Sequence, residues 1–343
     1  MKLGTALAIL GVVVLLVLAA QAWWSNRRSR PRKGLEPSAL PERTEPPMDT
    51  SATPPTLADD APPARSMHKR VPRLDALIDA IVPLALDAPL SAEQALQHLP
   101  ASRRAGTKPF YVEGLDTETG TWEPLLAGRR YGELQAGVQL ANRSGALNEI
   151  EYSEFVQKVE SFADAVGARA DIPDMLEVVA RARELDGLAA PLDAQLSITL
   201  RTNGVAWSVG FVHQVAVRSG LVSGAVPGRW VLASAEEGAP PMLVLSVDAQ
   251  AALAEDPQAA VVRGCVLALD VPQTPASVEP FPAWHLMGKQ LADDLGATAT
   301  DEEGQPISLH AFDAIGKEID DLYQRLEQLD LAAGSAAARR LFS

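Results

Sequence analysis

The chain has 343 residues, 47% of them hydrophobic, which is material for one or two domains with ordinary cores. Its single cysteine, Cys265, excludes an internal disulfide framework and a thiolate-rich zinc site. The formal net charge of −14 is uneven: residues 1–33 carry six Lys or Arg and no acid, which leaves −20 on the rest and argues against nonspecific binding to nucleic acid.

No charged residue interrupts Leu3 to Trp24, and a helix of that length spans about 33 Å, enough for the roughly 30 Å hydrocarbon core of a bilayer. The expectation is a single N-terminal transmembrane helix over residues 1–26. Leu10, Val14 and Leu18 would lie in the bilayer, and Trp23 and Trp24 at the interface. Arg27 and Arg28 open a basic flank that runs to residue 33. The positive-inside bias then puts the N-terminus in the periplasm and the rest of a single-pass inner-membrane protein in the cytoplasm. A cleaved signal peptide ending near Ala20-Gln21-Ala22 is the alternative. Between Pro31 and Pro72 stand ten prolines and almost no branched apolar residue. Residues 34–71 therefore read as a flexible, disordered linker whose job is reach.

After Pro72 the periodicity changes. Leu74 to Leu86 reads as a strand, and Ser91 to Leu99 as a helix with Ser91 as N-cap. Phe110 to Gly114, Trp122 to Leu126 and Leu134 to Leu140 read as strands separated by turn residues. Phe155, Val159, Phe162 and Val166 form one stripe of an amphipathic helix that stops at Gly167, and Asp174 to Leu185 follows as a helix stopping at Gly187. The order then recurs. Leu192 to Leu200 is a strand, Val205 to Val217 a helix, and Arg229 to Ala233, Met242 to Val247 and Val262 to Val271 are strands. Trp284, Met287, Leu291 and Leu295 stripe a helix ending at Gly296, and Ile315, Ile319, Leu322, Leu326 and Leu329 stripe the last one.

Two segments make this a repeat of residues as well as of elements. Phe162 to Asp171 matches Leu291 to Asp301 at an offset of 129 residues, and Leu134 to Leu140 aligns with Arg263 to Leu269 at the same offset. The expected fold class is α+β: two tandem β-α-β-β-β-α units, residues 72–190 and 191–335, each an antiparallel sheet covered by helices on one face. The first unit reads as a degenerate copy.

Catalysis is not expected, because no phosphate loop, dinucleotide fingerprint, zinc-helix motif or nucleophile elbow occurs. The five histidines stand apart and name no metal site. Cys265 alternates with apolar neighbours, as a buried small hydrophobe does. No cofactor, metal or small-molecule substrate is implied.

The second unit resembles the ZipA family of bacterial cell-division proteins. The likeness rests on Val215 to Leu221 closing a helix, Pro241 to Leu245 as a strand, Cys265 to Pro272 as a strand closing on Val-Pro, and Leu291 to Gly296 ending the long helix, together with the anchor and tether. The resemblance implies an adaptor that binds the C-terminal tail of the division protein FtsZ on the open face of its sheet and tethers the division ring to the inner membrane at the septum. An envelope sensor or ligand-binding protein with one membrane span is the alternative. Strand alternation places the larger aliphatic sets under the helices. Ser197, Thr199, Met242, Val244, Val266 and Ala268 are then expected on the open face, with Trp230 or Leu232 as its large apolar anchor.

Overall fold

A computed structural model describes residues 73–343, apart from 255, 257–259, 302, 303 and 308. The fold class expected from the sequence needs correction at its N-terminal end. Among the described residues no helix is long and apolar enough to cross a membrane. The anchor residues Leu10, Val14, Leu18, Trp23, Trp24, Arg27 and Arg28 and the whole linker lie outside the described residues, so a single N-terminal transmembrane helix has no support here.

The first copy is built on four main strands: β1 (Asp79–Leu86), β2 (Lys108–Asp116), β3 (Arg130–Gln139) and β4 (Ala168–Ala170). They pair antiparallel in the order β2-β3-β1-β4, with two-residue Arg104–Ala105 outside β2. Strand alternation divides the residues of each strand between the two faces. In β1, Ala80, Val82 and Leu84 point into the core while Pro83 and Ala85 are exposed. Helix α1 (Ala92–His98) starts where the Ser91 hydroxyl accepts from the Gln94 amide. Helix α2 (Glu149–Val166) has a full capping box between Asn148 and Glu151 and ends at Gly167 in the left-handed conformation. Its stripe of Phe155, Val159 and Phe162 is buried, and each ring or branched side chain contributes about 2 kcal/mol by leaving water. Helix α3 (Met175–Ala189) continues past Gly187 and stops only where Pro191 enters a 3-10 turn.

The second copy repeats this plan with β5 (Gln195–Thr202), β6 (Val222–Ser223), β7 (Arg229–Leu232), β8 (Leu243–Ser246), β9 (Gly264–Asp270) and β10 (Ala297–Thr300), hydrogen-bonded in the order β6-β7-β8-β9-β5-β10. Helices α4 (Val209–Arg218), α5 (Pro280–Leu295) and α6 (Leu309–Gln328) accompany it. Trp284 of α5 donates its indole N–H to the Leu267 carbonyl at 3.2 Å. Gly288 meets the same sheet so closely that an added Cβ would stand 2.5 Å from Ile198 Cδ1. Each copy thus carries a strand after its long helix, β4 or β10, that the β-α-β-β-β-α expectation lacked. These strands are short and poor in large apolar residues, so their sequence gives no period to detect.

The registers sharpen the repeat. Leu84 pairs with Leu134 and Ala170 in the first sheet, and Leu200 pairs with Cys265 and Ala299 in the second. Leu90 opposite Tyr131 likewise matches Trp207 opposite Val262. β1 and β5 therefore correspond at 116 residues. β3 and β9 correspond at 131, two more than the sequence match gave, while the helix end and the following strand keep 129. The difference sits inside the long helix, which has 18 residues in the first copy and 16 in the second. A slip of two leaves every side chain on its own face, because the strand period is two.

The two copies share one continuous core although their sheets stay separate. Arg143, in the loop after β3, forks between Asp193 at 2.5 Å and Asp270 at 2.7 Å. The C-terminal helix α7 (Ala336–Leu341) buries Ala338, Leu341 and the following Phe342, and returns to the first copy. There Arg340 pairs with Asp79 at 2.5 Å and the Gln139 amide donates to the Arg340 carbonyl at 2.7 Å. Residues 336–343, placed beyond the second unit by the sequence, are therefore part of the joint between copies.

Candidate partner-binding face

The second sheet presents a helix-covered face and an open one. Ile198, Leu200, Cys265, Leu267, Leu269, Leu243 and Leu245 are buried toward the helices. On the other side the registers assemble two cross-strand rows. One runs Val222, Val231, Val244, Ala268, Ser197 across β6, β7, β8, β9 and β5. The next runs Arg229, Ser246, Val266, Thr199, Thr300. Val222 is exposed, and Val231, Val244, Val266, Ala268, Ser197 and Thr199 are all partly exposed. The face is a strip of small apolar and hydroxyl side chains, two residues wide on β8, β9 and β5.

Ser197, Thr199, Val244, Val266 and Ala268 lie together on this strip, which is where alternation alone puts them. Trp230 and Leu232 do not. Trp230 opposes Leu245 on the inward side, is 4% exposed, and donates its indole N–H to His213 Nδ1 at 2.8 Å. Leu232 opposes Leu243, also inward. The sequence offered no way to set the parity of a four-residue strand whose residues are mostly large, and the buried indole found its partner in the exposed His213 of α4. Met242 precedes β8, where its amide donates to the Leu232 carbonyl at 2.8 Å. It joins Leu232, Pro240, Pro275 and Val278 around a cavity of about 210 Å³ at the hairpin end. Ser246, on the same side of β8 as Val244, completes the strip with Val222 and Val231. Val222 was missed because β6 is two residues long and carries no alternation to read, and Val231 with the parity of β7.

Two cations border the strip, Arg229 on β7 and Arg201 on β5, with β8 and β9 between them. Both are exposed, share the open face with Thr199 and Ser246, and have no ion-pair partner among the described residues. A carboxylate on a ligand lying along the strip would find one of them. Behind β7, a cavity of about 440 Å³ is lined by Val209, His213, Val226, Arg229, Trp230 and Ala252, among others. Cys265 is sealed under the helices, and burial pushes its thiol up to about 12. Among the described residues no group of three or more His, Cys, Asp or Glu is placed to hold a metal ion.

The corresponding face of the first copy differs. Its rows are Tyr111, Gly137, Ile81 and Glu113, Gln135, Pro83. Within them Gly137, Glu113 and Tyr111 are covered by the chain's own residues 73–74 and by Arg340. The Leu74 side chain lies on Gly137, the Arg73 and Leu74 amides donate to Glu113 Oε1, and the Tyr111 ring is flanked by the Arg73 and Arg340 guanidinium groups at 5.4 and 5.0 Å. Among the described residues, the rows of the second copy stay partly exposed.

No protein-family model matches the chain, and no curated protein matches its sequence.

Proposed function

We propose that this protein is a peptide-binding adaptor whose ligand face is the open side of the second sheet, and that its ligand is the C-terminal tail of FtsZ, as the resemblance to the ZipA family implies. The observation that supports this reading is the partly exposed row Val222, Val231, Val244, Ala268, Ser197, bordered by Arg201 and Arg229, which have no ion-pair partner among the described residues. A single short segment laid along such a strip buries little surface, so each contact is weak and a polymer displaying many tails binds through avidity. The test is fluorescence anisotropy of a labelled FtsZ tail peptide against the full chain. Saturable binding that Val244→Asp weakens supports the adaptor; no saturable binding by the wild type retires it. The cavity of about 440 Å³ beside Trp230 favours a second reading, a ligand-binding protein, since its size falls in the range of small-molecule sites. A saturable upward shift in Tm with a small ligand, abolished by Ala252→Trp, would favour that reading over the adaptor.

A further inference from the structure

The open faces of the two copies are equivalent position by position. Gly137 stands between Tyr111 and Ile81 as Ala268 stands between Val244 and Ser197, an equivalence that the registers define. Glu113 opposite Gln135 likewise corresponds to Ser246 opposite Val266. In the first copy this site is full. Leu74 fills the notch above Gly137, where even a Cβ would come within 2.5 Å of Leu74 Cδ2. The buried Glu113 carboxylate takes the backbone N–H groups of Arg73 and Leu74 on Oε1, and Gln135 Nε2 donates to its Oε2 at 3.2 Å. Arg340 closes the other side by donating to the Arg73 carbonyl. A buried acid receiving two successive backbone amides, next to a side-chain notch made by a glycine, has the form of a peptide-binding subsite.

We infer that the open face of the first copy is a peptide groove held shut by the chain's own Arg73–Leu74 segment, an intramolecular strap that a competing peptide must displace. Several features make the strap separable from the fold. It consists of two residues, one exposed and one partly exposed, and it reaches β1 through an exposed turn at residues 75–77. Its hold rests on the Leu74 side chain, two amides on Glu113, the Arg73 carbonyl under Arg340 and the Arg73 guanidinium on Tyr111, rather than on a strand ladder. Opening it would bare the notch, Glu113 and Tyr111 without disturbing the helix-covered side, where Phe110, Ala136 and Val138 are buried. The inference concerns the first copy and stands apart from whatever the second face binds.

The test supplies the strap in trans. A fluorescein-labelled peptide of residues 67–76 is titrated against the full chain and against Leu74→Asp, with anisotropy as the readout. A strap closed most of the time reduces the apparent affinity for a competitor by the fraction open, so the variant should bind at least about 10-fold more tightly than wild type. Gly137→Leu added to the variant should abolish that binding by filling the notch. Should Leu74→Asp not melt cooperatively, Leu74→Ser replaces it under the same criterion. Equal binding to wild type and a cooperatively folded variant, or no binding to the variant, overturns the inference. Hydrogen exchange on the wild type gives an independent reading. The Arg73 and Leu74 amides should exchange at least about 100-fold faster than those of Ala80 and Val82, because the strap opens without global unfolding. Equal exchange rates would make the segment a fixed part of the fold and also overturn the inference.

Discussion

Replacing Arg340 by alanine should destabilise the whole folded unit, even though only three residues follow it. Asp79 is the reason. Its side chain is fully buried, and its carboxylate accepts from Arg340 Nη2 at 2.5 Å, from Arg340 Nη1 at 2.8 Å and from the Asp75 amide at 2.9 Å. Removing one partner of a buried ion pair leaves the other charge uncompensated, a loss of about 3–5 kcal/mol. The Asp75 amide still serves the carboxylate, which points to the lower end, and the lost packing on Tyr111 adds about 0.5–1 kcal/mol. The expected cost is about 3–4 kcal/mol, or a fall of about 6–16 °C in Tm for a folded unit of this size. Urea denaturation of wild type, Arg340→Ala, Asp79→Asn and the double variant measures it. Because the neutral amide tolerates losing the arginine better than the carboxylate does, the double variant should be more stable than the sum of the single costs by at least about 1.5 kcal/mol. A cost below about 1 kcal/mol for Arg340→Ala, or strict additivity, would show that the C-terminal return does not hold the copies together.

Other outcomes follow from particular residues. Val244→Asp and Val266→Asp should each weaken binding of the FtsZ tail by about 1–3 kcal/mol with an unchanged melt, since a charge on a partly exposed strip disturbs the contact and not the core; titration by calorimetry with a parallel melting curve checks both. Arg143→Met should cost about 2 kcal/mol in urea, between the values for exposed and buried pairs, because Asp193 and Asp270 are left facing each other while partly solvated. Cys265 should resist a disulfide-exchange reagent at pH 8 in the native state and react fully once unfolded, because burial holds its thiol near 12. Burial of Glu151 opposes ionisation, but hydrogen bonds from Thr107 and Asn148 and the charge of Lys108 outweigh it and hold the carboxyl below its usual range. The stability this gives is present above about pH 4.3 and is lost as pH falls through the lower folded value, so Glu151→Gln should flatten the acid limb of a pH–stability curve measured by urea midpoint.

Much of the local structure was legible in the residues themselves. The stripes Phe155, Val159, Phe162 and Trp284, Leu291, Leu295 mark the two long helices, and Gly167 and Gly296 end them in the left-handed conformation. The alternation in β5, β8 and β9 sorted Ser197, Thr199, Val244, Val266 and Ala268 from the buried set, because a face assignment needs only a period of two and one buried side. Where that period is short, it fails. Trp230 and Leu232 went to the wrong face of a four-residue strand, and β4, β6 and β10 gave no signal. Tertiary structure alone decided the rest. The two-residue difference in helix length, the fork of Arg143 between Asp193 and Asp270, the return of Arg340 to Asp79 and the seating of Leu74 on Gly137 each join residues dozens to hundreds of positions apart. No local propensity encodes such a contact, because its energy exists only after chain closure has brought both partners out of water. That is also why two copies of one pattern end up unlike: the same sheet face is partly exposed in one and closed by Arg73, Leu74 and Arg340 in the other.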